Sequence, residues 1–355
     1  MKVFRIDNMI ENNVVITDDV ADTLKQALSV RQYDKIAVIV DEHTEAHCLP
    51  FISDTVGEHW LLPIKSGEEH KTLDTCAQLW HALTDASFGR KDLVINLGGG
   101  VIGDMGGFVA STYKRGLDFI NLPTTLLAQV DASIGGKLGI DFDGLKNHIG
   151  LFKAPELVIV FPEFIETLPK RELYSGFAEV IKHALIKDAS YWLRITGSDF
   201  GSYDWNELIA HSVDIKKEVV SGDPFEGGER KILNFGHTIG HAVETHFLHS
   251  DKRLLHGEAI AVGMICESYL SHKFAGLSEE KLKEIVAFIV DVYQPVEIDT
   301  HLFDTIIQLT LQDKKNHAGF VNYSLLKDIG RCGFDYQVSK QLVLDSLFFY
   351  NNLLK

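Results

Sequence analysis

Cysteine and basic residues are scarce in this chain. The four cysteines among 355 residues, Cys48, Cys76, Cys266 and Cys332, have neither the close spacing of metal-ligand cysteines nor a disulfide pattern. We therefore expect reduced thiols in a cytoplasmic protein. Lysine and arginine number 34 against 50 acidic residues, which gives a net charge of −16. This deficit argues against nucleic acid or an anionic membrane surface as the main partner.

Long hydrophobic runs are also absent. Apolar runs such as 36–40 and 157–161 fall far short of the roughly 20 residues that a membrane span needs. The first residues turn polar too soon for a secretory signal. What is present is the composition of a globular protein, 45% hydrophobic and 24% charged. At roughly 150 residues per domain, the length predicts two domains.

The two halves of the chain differ in hydrophobic pattern. In the first half, apolar strands at 36–40, 93–97 and 157–160 alternate with helical segments, which predicts a parallel sheet covered on both faces. From about Pro169 the apolar spacing becomes three and four, which is typical of helices. We therefore predict an α/β domain over residues 1–168 and a helical domain over residues 169–355.

A glycine-rich loop follows one predicted strand. Gly98–Gly103 matches G-x-G-x-x-G and precedes a predicted helix, a combination that suits a pyrophosphate or, alternatively, a tight structural turn. Asp41, at the end of an earlier strand, is better placed than Asp118 to hold a ribose. Asp104 and the segment 67–71 are either ligand contacts or helix caps.

Basic and acidic residues cluster in two further places. Arg115, Lys137, Lys146 and Asn147 lie among glycines and threonines, which favours a phosphate site over a flexible surface loop. In the next segment, Glu179 and Lys182 lie three residues apart among apolar neighbours. Because buried charges need partners, they form either an internal ion pair or part of a site.

Histidines are concentrated between residues 237 and 256, where five of the 16 occur. His237 and His241 are one helical turn apart, and with a carboxylate such as Glu179 this spacing predicts a zinc site with an open position. Arg230 and Asn234 extend the same polar face. His246 and His249 are interpreted as solvated loop residues.

Nine motifs, in order, carry a resemblance that covers about residues 41–315. They are Gly98–Asp104, Arg115-Gly116, Pro123–Asp131, Gly135–Lys137, Lys146-Asn147, Leu168–Glu172, Ser175–Lys182, Leu233–His241 and His256–Glu258. The chain thereby resembles the 3-dehydroquinate synthases, of the sugar phosphate cyclase family. The resemblance implies an α/β N-terminal Rossmann-like NAD-binding domain and an all-α C-terminal metal-binding domain.

The implied activity is that of a carbon–oxygen lyase of the shikimate pathway. It converts 3-deoxy-arabino-heptulosonate 7-phosphate, a small anionic sugar phosphate, to 3-dehydroquinate and phosphate. The implied cofactors are NAD, which is not consumed, and Zn²⁺ or Co²⁺. The resemblance also implies a cytoplasmic homodimer.

The resemblance assigns residues as well, and it corrects the histidine interpretation. The implied metal ligands are Glu179, His237 and His256, whereas His241 contacts the substrate phosphate. The predicted NAD-binding residues are Asp41, Ser66, Gly67, Glu68, Glu69, His70, Lys71, Gly98, Gly99, Gly100, Val101, Ile102, Gly103, Asp104, Thr124, Thr125, Lys137, Lys146, Phe164, Ile165, Glu166 and Thr167.

The implied substrate contacts divide by the group that they bind. Lys216 and Arg230 would hold the carboxylate, and Asp131 and Lys182 would line the polyol. The phosphate would be held by Lys137, Asn147, Asn234 and His241, by Arg115 of the other subunit, and by Lys314 or Lys315. The implied catalytic group is Asp131, Lys137, Lys182, Asn234 and His241.

Two positions depart from the family pattern. Asp141 stands where many members have Asn, and Phe161 stands where Asp is usual.

Three other functions are alternatives to the one that the resemblance implies. They are a cyclase acting on a different sugar phosphate, a metal-dependent polyol or glycerol-phosphate dehydrogenase, and a non-catalytic anion- or nucleotide-binding protein. Arg230, Asn234 and His241 together favour a substrate that carries a carboxylate.

Overall fold

The structure, a computed structural model, describes residues 13–248, 250, 252–312 and 321–354. It divides into two compact units. The main stretch of the first unit ends at Pro169, and this unit also includes Trp205–Lys217. The second unit comprises Lys170–Asp204 and the described residues from Glu218 onward. The domain boundary between residues 168 and 169 stays a prediction. The prediction placed residues 205–217 in the helical domain, whereas these residues belong to the first compact unit.

The first unit is built on a parallel sheet. The strands of this unit are β1 (Val14–Ile16), β2 (Ile36–Val40), β3 (Trp60–Pro63), β4 (Leu93–Gly98), β5 (Asp118–Pro123), β6 (Lys137–Phe142), β7 (Leu145–Phe152) and β8 (Leu157–Val160). Six of them pair in the order β1-β8-β5-β4-β2-β3, all in parallel. β6 and β7 form a separate antiparallel hairpin.

Both faces of the sheet are covered. Ala37 and Ile39 of β2 pack into one hydrophobic cluster, whereas Val38 and Val40 pack into another on the opposite face. Alternate side chains of a strand point to opposite faces, so a continuous apolar run indicates a sheet buried on both sides. The helices of this unit are α1 (Val20–Val30), α2 (Glu42–His47), α3 (Ser53–Val56), α4 (Leu73–Asp85) and α5 (Gly100–Thr112), together with residues 205–217 of α8 (Trp205–Gly222).

The second unit is helical. Its helices are α6 (Lys170–Lys187), α7 (Ala189–Thr196), α9 (His237–Phe247), α10 (His256–Leu270), α11 (Glu279–Tyr293), α12 (Phe303–Gln312) and α13 (Lys340–Asn352), and α8 (Trp205–Gly222) enters it from residue 218. α10 packs against α6, α9, α11 and α13. This helix is apolar nearly all round, which is the pattern of a fully buried helix.

The predicted fold class is confirmed, with two local differences. Thr72 accepts a hydrogen bond from the Thr75 amide and caps α4, so the cap lies just after the segment 67–71 and the helix begins at Leu73. The described residues of the second unit also include an antiparallel hairpin, β9 (Asn322–Asp328) and β10 (Arg331–Gln337), which turns at Gly330 with φ of +79°. Among the described residues, no helix is long and apolar enough to cross a bilayer.

Candidate functional site

Three predicted ligand segments lie at one edge of the parallel sheet. Asp41 follows β2, Gly99 follows β4 and Thr124 follows β5, and these strands are neighbours that run in the same direction. Their carboxyl ends therefore meet at one edge, where open α/β sheets bind ligands. The structure thus brings these predicted NAD contacts together.

The glycine loop presents a helix start to this edge. Gly99 is the N-cap of α5, and no side chain among the described residues caps its first turn. The first amides of a helix lack intrahelical partners and carry positive potential, so they suit an anionic ligand. A Cβ atom on Gly99 would lie 2.9 Å from Cγ2 of Thr125, so this position also needs glycine for packing.

Asp41, predicted to hold a ribose, also caps a helix. Its carboxylate accepts hydrogen bonds from the amides of His43 at 3.0 Å and Thr44 at 2.8 Å and so caps α2. The next residue, Glu42, accepts hydrogen bonds from the Ser66 hydroxyl at 2.8 Å and the Ser66 amide at 3.1 Å. Glu42 is absent from the predicted set, although its position after a strand end was a usable signal.

Buried charges link the segment 68–71 to α5 and to β7. Lys71 is 3% exposed, and its ammonium lies 2.7 Å from Asp104 and 2.6 Å from Oδ1 of Asn147. Burial lowers the pKa of Lys71, but the attraction of Asp104 and then of Glu68 outweighs it and leaves the pKa raised. Lys146 pairs with Glu68 at 3.1 Å. Asp104 is therefore an ion-pair partner in this structure.

The two departures from the family pattern have local explanations. Asp141 accepts a hydrogen bond from the Asn147 amide at 2.7 Å, where Asn147 has φ of +48°. Phe161 stacks edge-on with Phe164 at 5.0 Å and with Phe51 at 5.6 Å between ring centroids. Phe164 lies in the 3₁₀ helix Pro162–Thr167. An aromatic cluster thus occupies the place where an aspartate is usual.

The remaining predicted substrate contacts of the first unit comprise one ion pair and two exposed side chains. Lys216, 6% exposed, donates to the Asp131 carboxylate at 2.7 Å. Lys137, at the start of β6, and Arg115, with φ of +70°, are both exposed. The structure therefore pairs Asp131 with Lys216 and leaves Lys137 and Arg115 at the surface of this chain.

Three donor atoms in the second unit converge on one point. The Oε1 atom of Glu179, a residue with no exposed surface, lies 3.4 Å from Nε2 of His237 and 3.5 Å from Nε2 of His256. Two ligand atoms that are each about 2.1 Å from a tetrahedral ion are about 3.4 Å apart. Carboxylate and imidazole are ligands that zinc takes, so these residues fit a divalent metal.

The pKa values of His237 and His256 shift in opposite directions. Burial, followed by the positive charge of Lys182, lowers the pKa of His237 to about 4, which keeps its ring neutral. Burial also lowers the pKa of His256, but Glu244 and Glu179 outweigh it and raise the pKa to about 9. Lys182, 1% exposed, forms an ion pair with Glu179 one turn earlier on α6.

His241 lies beside the same cluster. Its ring centroid is 5.0 Å from that of His237 and 5.7 Å from that of His256, and each of the three rings offers a nitrogen within 4.8 Å of the others. Geometry alone therefore permits His241 as a neighbour or as a ligand.

The two polar residues that precede His237 have partners in this structure. Arg230 is buried and donates to the Pro224 carbonyl at 2.5 Å, and Asn234 donates to Glu226 at 2.6 Å.

The family models for 3-dehydroquinate synthase match most of the chain. The N-terminal model matches residues 61–175, and the C-terminal model matches residues 176–316. The chain belongs to the 3-dehydroquinate synthase family. A 3-dehydroquinate synthase of Parabacteroides distasonis is 41% identical over 347 residues, which cover 96% of this chain and 98% of that protein. The predicted family is confirmed.

Solved structures of other cyclases share the fold of this family member. The 2-epi-5-epi-valiolone synthase of Streptomyces hygroscopicus subsp. jinggangensis, with NAD⁺ and Zn²⁺ bound, is 26% identical with a TM-score of 0.86 and covers 99% of this chain and 100% of its own. A 2-deoxy-scyllo-inosose synthase with carbaglucose-6-phosphate, NAD⁺ and Co²⁺ is 23% identical with a TM-score of 0.81, covering 94% of this chain and 95% of its own. This second likeness shows the fold alone.

Two buried glutamates near the histidines are missing from the predicted set of this 3-dehydroquinate synthase family member. Glu244 lies on α9, three residues after His241. Glu267 on α10, with no exposed surface, accepts hydrogen bonds from the Gly236 amide at 2.7 Å and the Ile239 amide at 3.1 Å. The only sequence signal for either was an acidic residue within an apolar helix.

Glu267→Gln is expected to lower the free energy of unfolding of the metal-free protein by about 2 kcal/mol. The carboxylate satisfies two amides at the start of α9, and charge-assisted hydrogen bonds of this kind contribute about 1.5–3 kcal/mol. Urea unfolding measures the change. Glu280→Gln, at an exposed position on α11, serves as the control with an effect below about 0.5 kcal/mol. Equal losses in both variants would contradict the assignment.

Proposed function

We propose that this chain catalyses the conversion of 3-deoxy-arabino-heptulosonate 7-phosphate to 3-dehydroquinate and phosphate, with NAD and one divalent cation, Zn²⁺ or Co²⁺. The observation that carries the proposal is the convergence of Glu179, His237 and His256 at 3.4–3.5 Å in a chain of this family. The valiolone synthase structure, which is 26% identical and holds NAD⁺ and Zn²⁺, supports NAD with a divalent cation here.

The metal ligands in this proposal are Glu179, His237 and His256. When bound, NAD supplies a reversible hydride acceptor, and the metal supplies Lewis acidity toward the hydroxyl that is oxidised. Both imidazoles would bind through Nε2, the nitrogen that faces the Glu179 carboxylate. Lys182, paired with Glu179, holds the carboxylate in place and offers further donors to the substrate polyol.

NAD is proposed to bind at the carboxyl edge of the parallel sheet. The first amides of α5 would receive the pyrophosphate, and Asp41 the ribose. The proposed contacts are otherwise those of the sequence: Ser66–Lys71, Gly98–Asp104, Thr124, Thr125, Lys137, Lys146 and Phe164–Thr167. Lys71 and Lys146 have acidic partners at 2.7 Å and 3.1 Å, so their primary effect is to hold Asp104 and Glu68 in place.

The substrate contacts are carried over by motif. Arg230 and Lys216 would bind the carboxylate, Asp131 and Lys182 the polyol, and Lys137, Asn147, Asn234 and His241 the phosphate. Lysine and arginine form the strongest hydrogen bonds to such anions. Arg115, exposed in this chain, would complete the site of a partner in a cytoplasmic homodimer. Lys314 and Lys315 lie outside the described residues.

The proposal predicts phosphate release from the heptulosonate phosphate without net accumulation of NADH. NAD would serve as a reversible hydride acceptor and would not be consumed, so NADH is not expected to build up. Phosphate release and NADH absorbance are followed together with the metal-loaded protein. Steady accumulation of NADH would instead indicate a polyol dehydrogenase.

Substrate choice separates the remaining alternatives. Glucose 6-phosphate, which has no carboxylate, serves as the matched substrate because Arg230 and Lys216 would lose their partner. We expect no phosphate release from it. Turnover of glucose 6-phosphate in preference to the heptulosonate phosphate would indicate another cyclase, and binding of both without turnover would indicate a binding protein.

A further inference from the structure

Glu244, on α9, contacts His256, the proposed ligand histidine on α10. Glu244 is 4% exposed, and its Oε2 atom lies 3.1 Å from Nδ1 of His256. Glu244 is on α9 and His256 opens α10. The contact therefore joins the last turn of α9 to the first residue of α10 through side chains.

The two ring nitrogens of His256 face different carboxylates. Nε2 lies 3.5 Å from Oε1 of Glu179, at the point where the donor atoms converge, whereas Nδ1 faces Glu244. A histidine that binds a metal through Nε2 carries its proton on Nδ1. A carboxylate that accepts from Nδ1 fixes this tautomer and the orientation of the ring.

His237 is supported differently. Its Nδ1 atom lies 3.1 Å from the backbone carbonyl of Phe235, two residues earlier in the chain. The chain fold itself supplies that acceptor. The acceptor for His256 is a side chain, so the orientation of His256 depends on the identity of residue 244.

We propose that Glu244 is a positioning residue of the metal site. It holds His256 with Nε2 directed at the metal and makes the imidazole a stronger donor than a carbonyl partner would. The inference rests on the proposed function, because it takes His256 as a ligand. Glu244 itself touches neither the substrate nor the reacting atoms.

Affinity for Co²⁺ tests the proposal, measured on the full-length protein by competition with a chromophoric chelator. Glu244→Ala is expected to weaken binding by about 10- to 100-fold, the usual effect of removing such a support. Glu244→Gln keeps an oxygen that accepts from Nδ1 and loses the charge, so we expect a loss of about 3- to 10-fold. His246 lies on α9 and not in the predicted loop; His246→Ala, outside the cluster, serves as the control with unchanged affinity.

The visible absorption of bound Co²⁺ provides a second measurement, which reports ligand geometry rather than activity. The band pattern is expected to change in Glu244→Ala and to be preserved in Glu244→Gln. Unchanged affinity in Glu244→Gln, together with an unchanged spectrum in any Glu244→Ala protein that folds, would overturn the assignment. If the unmodified protein instead bound no stoichiometric Co²⁺, the proposed function would fail.

Discussion

His256→Ala is expected to lose stoichiometric metal and to release phosphate at least about 1,000-fold more slowly, since a bound metal contributes several kcal/mol to such reactions. The donor atom of His256 lies 3.5 Å from that of Glu179, the separation of two ligands on one tetrahedral ion. His241→Ala is expected to keep its metal and to lose affinity for the phosphate-bearing substrate.

Metal analysis after dialysis, paired with phosphate release, separates these two variants. The pair is matched, because both substitutions remove one imidazole from the same histidine cluster. Loss of metal from His241→Ala with retention in His256→Ala would reverse the assignment. In that case the helical spacing of His237 and His241 would identify the ligands.

Gly263→Ala is expected to lower the free energy of unfolding by about 3 kcal/mol and to weaken metal binding. A Cβ atom at this position of α10 would lie 1.8 Å from the Gly236 carbonyl oxygen and 2.7 Å from the Gly240 amide nitrogen. These are backbone atoms of α9 and its N-cap, so one helix must move. Overpacking of this kind costs about 1–3 kcal/mol, and His237 directly follows Gly236.

Gly222→Ala is the control for this prediction. No atom lies within 4 Å of a Cβ atom built at Gly222, so we expect a change below about 0.5 kcal/mol. Urea unfolding of the metal-free proteins and Co²⁺ titration measure both effects. A Gly263→Ala protein with the stability and metal affinity of the control would show that α9 and α10 are not held at this distance.

Local patterns predicted several elements of the first unit to within a residue or two. The apolar runs 36–40 and 157–160 coincide with β2 and β8. Such runs are informative because a strand buried on both faces requires apolar residues at every position. The hairpin of β6 and β7 was not predicted, since its exposed residues, including Phe142 and Phe152, follow no clear alternation.

Sequence patterns predicted only some of the residues at the candidate metal site. The helical spacing of His237 and His241 is visible in the sequence, and it predicted a ligand pair. The motifs of the family pointed to His256 instead. Neither source indicated Glu244 or Glu267, because a single acid in an apolar helix does not reveal which backbone amide or imidazole it will meet.

The amino-acid sequence by itself determined the family, the division into a parallel-sheet part and a helical part, and the residue types available for chemistry. These depend on composition, periodicity and motifs, which are properties of short segments. Only the tertiary structure decided which atoms converge. Glu179, His237 and His256 come from three helices. The Glu179 carboxylate lies within 3.5 Å of both imidazoles because glycines let those helices pack closely. Such distances depend on packing between segments far apart in the chain.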